Sequence, residues 1–182
     1  MISLTGINIK LRAMEPSDLD ILYLWENNPA NWIVSNTITP FSKNVLQKYI
    51  ENAHLDIFEA RQLRLMIDCI QPHPENPEII GAIDLFDFDP LNRRAGVGIL
   101  IAREEDRMKG FATEALSILV DYAFHTLQLH QLYCNVTEDN EASLKLFQKS
   151  GFIEIGKKLD WVSKDGGWVN VILLQKINHQ DG

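Results

Sequence analysis

The chain reads as a mixed αβ protein whose elements run strand, two helices, three strands, helix, strand, helix, two strands. Three observations carry that reading. Strand-like segments recur seven times, with apolar and polar residues alternating at a period of two most clearly over residues 7–12 and 62–70. Residues 103–124 join the end of a strand, a glycine-containing turn and a helix that is apolar around most of its circumference. The helix predicted over 140–150 closes on Gly151, where a glycine commonly follows a helix end.

In chain order, Ile7, Ile9 and Leu11 alternate with Asn8, Lys10 and Arg12, the pattern of a half-buried strand. Pro16 and Ser17 open a helix that turns Leu19, Leu22, Tyr23 and Trp25 inward and stops at Glu26-Asn27-Asn28-Pro29. Residues 30–40 read as a loop carrying Trp32 and Ile33, either a lid or substrate wall or aromatics that close a core. Ser42 caps a second helix running to about His54. The strand over 62–70 sets Leu63, Leu65, Ile67 and Cys69 against Arg64, Met66 and Asp68. Three prolines in residues 71–78 forbid regular pairing there and make a long hairpin-like loop.

Residues 78–88 alternate Ile80, Ala82, Asp84, Phe86 and Phe88 with Gly81, Ile83, Leu85 and Asp87. Asp84 stands out as a carboxylate in an apolar strand: a partly buried site acid, or a partner for an arginine. After a turn at Pro90-Leu91-Asn92, the strand over 95–102 carries Gly96 and Gly98 on one face, leaving room for something to lie against the backbone, or marking a bulge. In the helix that follows, Glu114, Ser117, Asp121 and His125 form a stripe read as its solvent side. Residues 131–137 make a strand, and 152–162 and 168–176 make two more, joined by Lys164-Asp165-Gly166-Gly167. Residues 178–182 read as a frayed tail.

At 182 residues the chain suits a single domain that needs no disulfide or metal staple. With 46% hydrophobic and 23% charged residues and a net charge of -8, it is a soluble type that lacks the basic balance of a nucleic-acid binder. No apolar run is long enough to span a bilayer and none resembles a signal peptide, so a cytoplasmic location and no membrane partner are expected. The five histidines, at 54, 73, 125, 130 and 179, show no paired ligand spacing, and no metal is expected. Cys69 and Cys134 lie in apolar runs and read as buried thiols.

The segment Arg107-Met108-Lys109-Gly110-Phe111-Ala112-Thr113 is the strongest chemical signal. Several backbone N–H groups meet at a helix N-terminus, the helix dipole favours an anion there, and Gly110 lets a ligand approach the backbone. Arg107 and Lys109 add positive charge. These residues fit a phosphate-bearing ligand, or an ordinary strand-to-helix turn with a basic rim.

That segment resembles the acyl-CoA pyrophosphate loop (Q/R-x-x-G-x-G/A) of the GCN5-related N-acetyltransferases, the GNAT family. Asn140-Glu141-Ala142-Ser143, continuing through Lys149-Ser150-Gly151-Phe152, resembles the later helix-to-strand segment of the same family, in the same order and across nearly the whole chain. The resemblance implies a mostly antiparallel, twisted central sheet of about seven strands flanked by four helices. It also implies acetyl-CoA as donor and a primary amine as acceptor, a small amine such as a polyamine or a peptide N-terminus. Leu24-Trp25-Glu26-Asn27-Asn28, Asn92-Arg93-Arg94-Ala95 and Asp165-Gly166-Gly167-Trp168 are similar to the branch holding spermidine and ribosomal-protein N-terminal acetyltransferases.

By that resemblance, backbone groups of Leu100, Ile101 and Ala102 hold the pantetheine arm, and Met108 to Thr113 the pyrophosphate. Asn140 and Ser143 contact the pantetheine or cysteamine end, with Phe147 beside them. Glu26, Trp32, Asp84 and Asp87 are the candidates for the acceptor side. Asp84 and Asn140 are the catalytic candidates.

Two departures stand out. Phe147 occupies the place of the family's proton-donating Tyr, and Gly96 the place of a strand Glu of the polyamine-acetylating relatives. Loss of a general acid or base costs about 10² to 10⁴ in rate, which slows the transfer without forbidding it. An amine can lose its proton through water to Asp84 or Asp87. A non-catalytic acyl-CoA-binding module is the alternative that these departures suggest. Edge strands in the C-terminal half offer a homodimer contact.

Overall fold

The computed structural model describes residues 3–35 and 37–179. One seven-stranded sheet runs through it, built from β1 (Ile9–Ala13), β2 (Leu63–Cys69), β3 (Glu78–Asp89), β4 (Arg94–Ile101), β5 (Gln131–Thr137), β6 (Ile153–Lys164) and β7 (Gly167–Ile177). The spatial order is β1-β2-β3-β4-β5-β7-β6, and every neighbouring pair is antiparallel except β4 and β5. The expected mixed αβ class and strand count therefore hold.

Six α-helices, rather than four, are seen among the described residues: α1 (Leu19–Glu26), α2 (Pro29–Ser35), α3 (Lys43–Glu51), α4 (Ile57–Ala60), α5 (Phe111–His125) and α6 (Glu141–Lys149). Helix α2 replaces part of the loop expected at 30–40. Pro29 supplies the fixed φ of a first helical position, and the Asn28 side chain accepts the Ala30 N–H at 3.0 Å. The same Asn-Pro pair that ends α1 thus starts α2. Helix α4 is a single turn capped by Asp56, whose carboxylate accepts the N–H groups of Phe58 and Glu59. Ser42 caps α3 as expected, accepting from Val45 N–H at 3.3 Å, and a 3₁₀ turn over Asn52–His54 extends it.

The sheet buries both faces over its first strands. Leu65 and Ile67 of β2 join the larger core with Ile83, Leu85, Val97, Leu132 and the α5 residues Leu116, Leu119 and Ala123. Met66 points the other way and meets Leu22, Ile50 and Ala82 under α1 and α3. Two bulges in β3 correct the simple alternation expected for that strand. Pairing slips between Ile67 and Asp68 of β2, and again between Phe86 and Asp89. Each extra residue reverses the faces beyond it, so Ile80 and Phe88 join Ile83 and Leu85 in the larger core.

Two polar ties lock the N-terminal strand. Arg12 forks onto Asp18 at 2.8 and 2.9 Å and reaches Asp68 at 2.7 Å, with both carboxylates buried. Glu114 accepts from the Asn8 N–H and the Asn8 side chain, both at 2.9 Å. Glu114 therefore leaves the solvent stripe expected for α5 and holds β1 onto that helix.

Candidate active site

Strands β4 and β5 pair only at Arg94–Gln131, Ala95–Leu132 and Gly96–Tyr133. Beyond that point β4 continues to Ile101 and β5 to Thr137 without pairing to each other, so the sheet opens into a V. Because the two strands are parallel, their C-terminal ends lie at the same end of the V. Strand β4 leads to the N-terminus of α5 and β5 to the N-terminus of α6. Two helix starts thus converge where an open αβ sheet commonly takes its ligand.

The α5 start is built for an anion. Gly110 is the residue before the helix, in the left-handed region at φ 87, and no side chain caps the helix. The first helical bond runs from Glu114 N–H to Gly110 C=O, which leaves the earlier N–H groups directed out of the helix end. Met108 is also left-handed, at φ 62, and is 97% exposed. A β-carbon at Gly110 would find nothing within 4 Å, so the turn faces open space. Asp106, which is buried, braces the turn by pairing with Arg103 at 2.9 Å and Lys109 at 3.3 Å. Arg107 is tied at 3.2 Å to the carbonyl of Ile101.

Along β4 the backbone groups are divided between the two sides. Ala102 N–H bonds Ile80 C=O at 2.9 Å, so it faces β3. By the alternation of an antiparallel ladder Leu100 faces β3 as well, whereas Ile99 and Ile101 turn their backbone groups to the V. Of the 100–102 segment expected to hold a pantetheine arm, Leu100 and Ala102 thus face β3, while Ile101, with Ile99 before it, faces the V, where the Ile101 carbonyl already accepts from Arg107.

At the α6 start, Asn140 is the cap: its Oδ1 accepts from Ser143 N–H at 3.1 Å. Its carboxamide oxygen is thus engaged at the helix start. Phe147 is 3% exposed, with its ring edge-on to Phe152 at 5.1 Å, a core residue rather than a wall of the V.

The face of the sheet away from α5 carries two cross-strand rows. The first is Arg64–Asp84–Gly98 and the second is Phe86–Gly96–Tyr133. In the first row Arg64 binds both Asp84 oxygens, at 2.7 and 3.0 Å, and also Glu26. Burial by itself disfavours the Arg64 charge, but the Asp84 carboxylate outweighs it and the guanidinium is held above its ordinary range. Asp84 is consequently the arginine partner that the sequence allowed for. Both of its oxygens, expected to take a proton through water, already face that fixed cation. Glu26 shares that cation. Trp32 donates its indole N–H to Glu26 C=O at 2.8 Å and closes the end of α1.

In the second row the Phe86 ring fills the space left by Gly96, with Tyr133 edge-on to it at 6.1 Å. The Tyr133 hydroxyl donates to Asp87 Oδ2 at 3.4 Å. Burial first, and then the Asp87 carboxylate, push the Tyr133 phenol up from its ordinary value. Sequence reasoning missed Tyr133. The one available signal was its place on a predicted strand, since its neighbour Gly96 is 37 positions away in the chain.

An open parallel V with an uncapped, glycine-led helix start at its mouth defines a binder of an extended, phosphate-bearing carrier, of the kind acyltransferases use. Residues 8–153 match the family described as acetyltransferase (GNAT) domain, and the chain belongs to that family. It is an acetyl-CoA-dependent N-acetyltransferase. It is 26% identical to spermidine N(1)-acetyltransferase of Escherichia coli K12 over 176 residues, 95% of this chain and 88% of that one. A Bacillus subtilis protein, YdaF, named as a ribosomal N-acetyltransferase, is 36% identical over 92 residues, 50% of this chain and 47% of that one. The fold is shared with the Vibrio cholerae spermidine N-acetyltransferase solved with CoA and spermine. That structure has a TM-score of 0.83 and 24% identity, with 96% of this chain and 98% of that one covered.

Proposed function

We propose that this chain acetylates a primary amine of a small polyamine, with acetyl-CoA held in the V between β4 and β5. The observation that carries the reading is the junction of that V with the uncapped α5 start at Gly110. The residues fit the donor. Backbone N–H groups over 108–113 suit the pyrophosphate, and the Ile99 backbone and the Ile101 N–H suit the amide groups of the arm. Lys109 and the Asn140 N–H₂ group add polar contacts at the two helix starts. Acetyl-CoA supplies an activated thioester, and the chain supplies position and charge.

The acceptor assignment is supported by coverage. The spermidine-acetylating relative matches over nearly the whole chain, while the ribosomal relative matches over half. A net charge of -8 favours a cationic amine over a basic protein surface only through long-range attraction, so the choice rests on the first point. Asp87 is the acidic candidate left without an arginine fork, because Arg64 occupies Glu26 and Asp84.

We extend the reading to assembly and place. The edge strand β6 and the adjoining hairpin expose Ile153, Ile155, Leu159, Trp161 and Trp168, which supports a homodimer contact. Light scattering tests it. A cytoplasmic location goes with the supply of acetyl-CoA.

Calorimetry with acetyl-CoA tests the donor site. Thiol release with spermidine, spermine and a peptide with a free N-terminus tests the acceptor. Turnover of the peptide in preference to both polyamines would overturn the acceptor assignment, and absence of acetyl-CoA binding would overturn the site.

A further inference from the structure

Phe147, buried against Phe152, has no proton to give, and the geometry points to Tyr133 on β5 as the group that protonates the departing thiolate, with Asp87 as its proton partner. This inference rests on the acetyl-CoA site proposed above. Four observations lead to it.

Tyr133 stands in the last paired position before the V opens. It is therefore the β5 side chain nearest the point where the two strands part, on the face away from α5. Its ring is fixed: it meets the Phe86 ring at an interplanar angle of 81°, and Phe86 is in turn wedged over Gly96. Its hydroxyl has a carboxylate partner, Asp87 Oδ2, at 3.4 Å. That carboxylate is aimed by a specific device. Asp87 lies in the second bulge of β3 with φ at 49, a left-handed conformation uncommon for a non-glycine residue. Bulges of this kind re-aim a side chain and gather near active sites. Other charged groups facing the pair are Arg94, which also reaches Asp89 at 3.2 Å, and the Arg64–Asp84 pair one row away. The phenol is protonated at neutral pH, as a donor must be.

The step balances within these groups. The amine nitrogen forms a bond to the carbonyl carbon, and the carbon–sulfur bond breaks. The sulfur takes the Tyr133 proton. The proton lost by the nitrogen passes to Asp87, which returns one to the Tyr133 oxygen through their hydrogen bond. Asp84 takes no part, because Arg64 holds both of its oxygens.

The test compares wild type with Tyr133→Phe, which keeps the ring against Phe86, and with Asp87→Asn. Acetyl-CoA affinity is measured by calorimetry, and the thiol of bound CoA is titrated by its thiolate absorbance. Spermidine is the acceptor for rate measurements. In Tyr133→Phe, affinity stays within about two-fold, kcat falls by about 10² or more, and the alkaline limb of the rate profile is lost. The bound CoA thiol ionises at higher pH than in wild type, since its hydroxyl partner is gone. In ligand-free Asp87→Asn, the Tyr133 phenol ionises at lower pH than in wild type, read at 295 nm. A bound-thiol titration equal in wild type and Tyr133→Phe overturns the proposal, whether or not spermidine is turned over. So does a kcat within two-fold of wild type. Wild type that fails to bind acetyl-CoA overturns the site reading itself, and this outcome is separate from the other two.

Discussion

The Phe86 ring lies across Gly96 so closely that a β-carbon there would sit 2.3 Å from it. A glycine that looked like an opening for a ligand is an opening for a phenylalanine of the neighbouring strand. The same contact leaves no volume at this place for a longer side chain.

Substituting Gly96 by Ala is therefore expected to cost about 1–3 kcal/mol, the usual range for overpacking. The penalty should shrink toward zero in a Phe86→Ala background, since the two residues are in contact and couple. Urea unfolding of the four proteins measures this. An equal penalty in both backgrounds would place the strain in the backbone and not in the ring.

Arg12 is the counter-charge of two buried carboxylates, and Asp68 Oδ1 is already without a partner among the described residues. Replacing Arg12 by Met leaves Asp18 and Asp68 uncompensated. A loss of about 3–5 kcal/mol is expected, of the size seen when one member of a buried pair is removed. Adding Asp68→Asn should recover part of it. Chemical unfolding at neutral pH reads both effects, and a loss under 1 kcal/mol for Arg12→Met would show that water reaches these carboxylates.

Stability should fall on acidification. Burial alone would raise the Asp18 carboxyl, but the Arg12 fork and the Glu15 N–H outweigh it and hold it below its usual 3.8. Glu114 behaves likewise: burial raises it, and the Asn8 side chain and the N–H groups around it bring it below 4.5. A depressed folded value means stability that is full above the usual value and lost as pH falls through the folded one. The urea midpoint should thus drop as pH is lowered from about 5 to about 3. Glu114→Gln should remove part of that dependence, and a midpoint slope unchanged by this variant would exclude its share.

Gly110→Ala tests the anion turn directly. Its φ of 87 disfavours a side chain by about 1–2 kcal/mol, while the space around it is open, so no clash adds to the cost. A modest fall in Tm with a clearly weaker acetyl-CoA affinity is expected, because relief of the strain re-aims the N–H groups over 108–113. Unchanged affinity in calorimetry would argue that the pyrophosphate lies elsewhere.

Local features were legible in the chain alone. The Gly110 turn, the Ser42 cap and the strand alternation are set by residues within a few positions of one another, so propensity and spacing suffice to find them. Helix α2 escaped because one Asn-Pro pair both stops and starts a helix. The β3 faces were misjudged at Ile80 and Phe88 because a bulge depends on the partner strand, which periodicity within one strand cannot register.

What the sequence by itself determined is the class: a mixed αβ chain with an anion-binding helix start, followed by a second helix start in the same order as its family. What only the tertiary structure decided is which groups face one another across strands. Arg64 neutralises Asp84 only because β2 and β3 pair in one register, and Tyr133 meets Gly96 only because β4 and β5 run parallel for three pairs before parting. A cross-strand neighbour lies about 5 Å away in space and tens of residues away in the chain. Side-chain charge and free volume are settled at that distance, and so is the chemistry of the acceptor side.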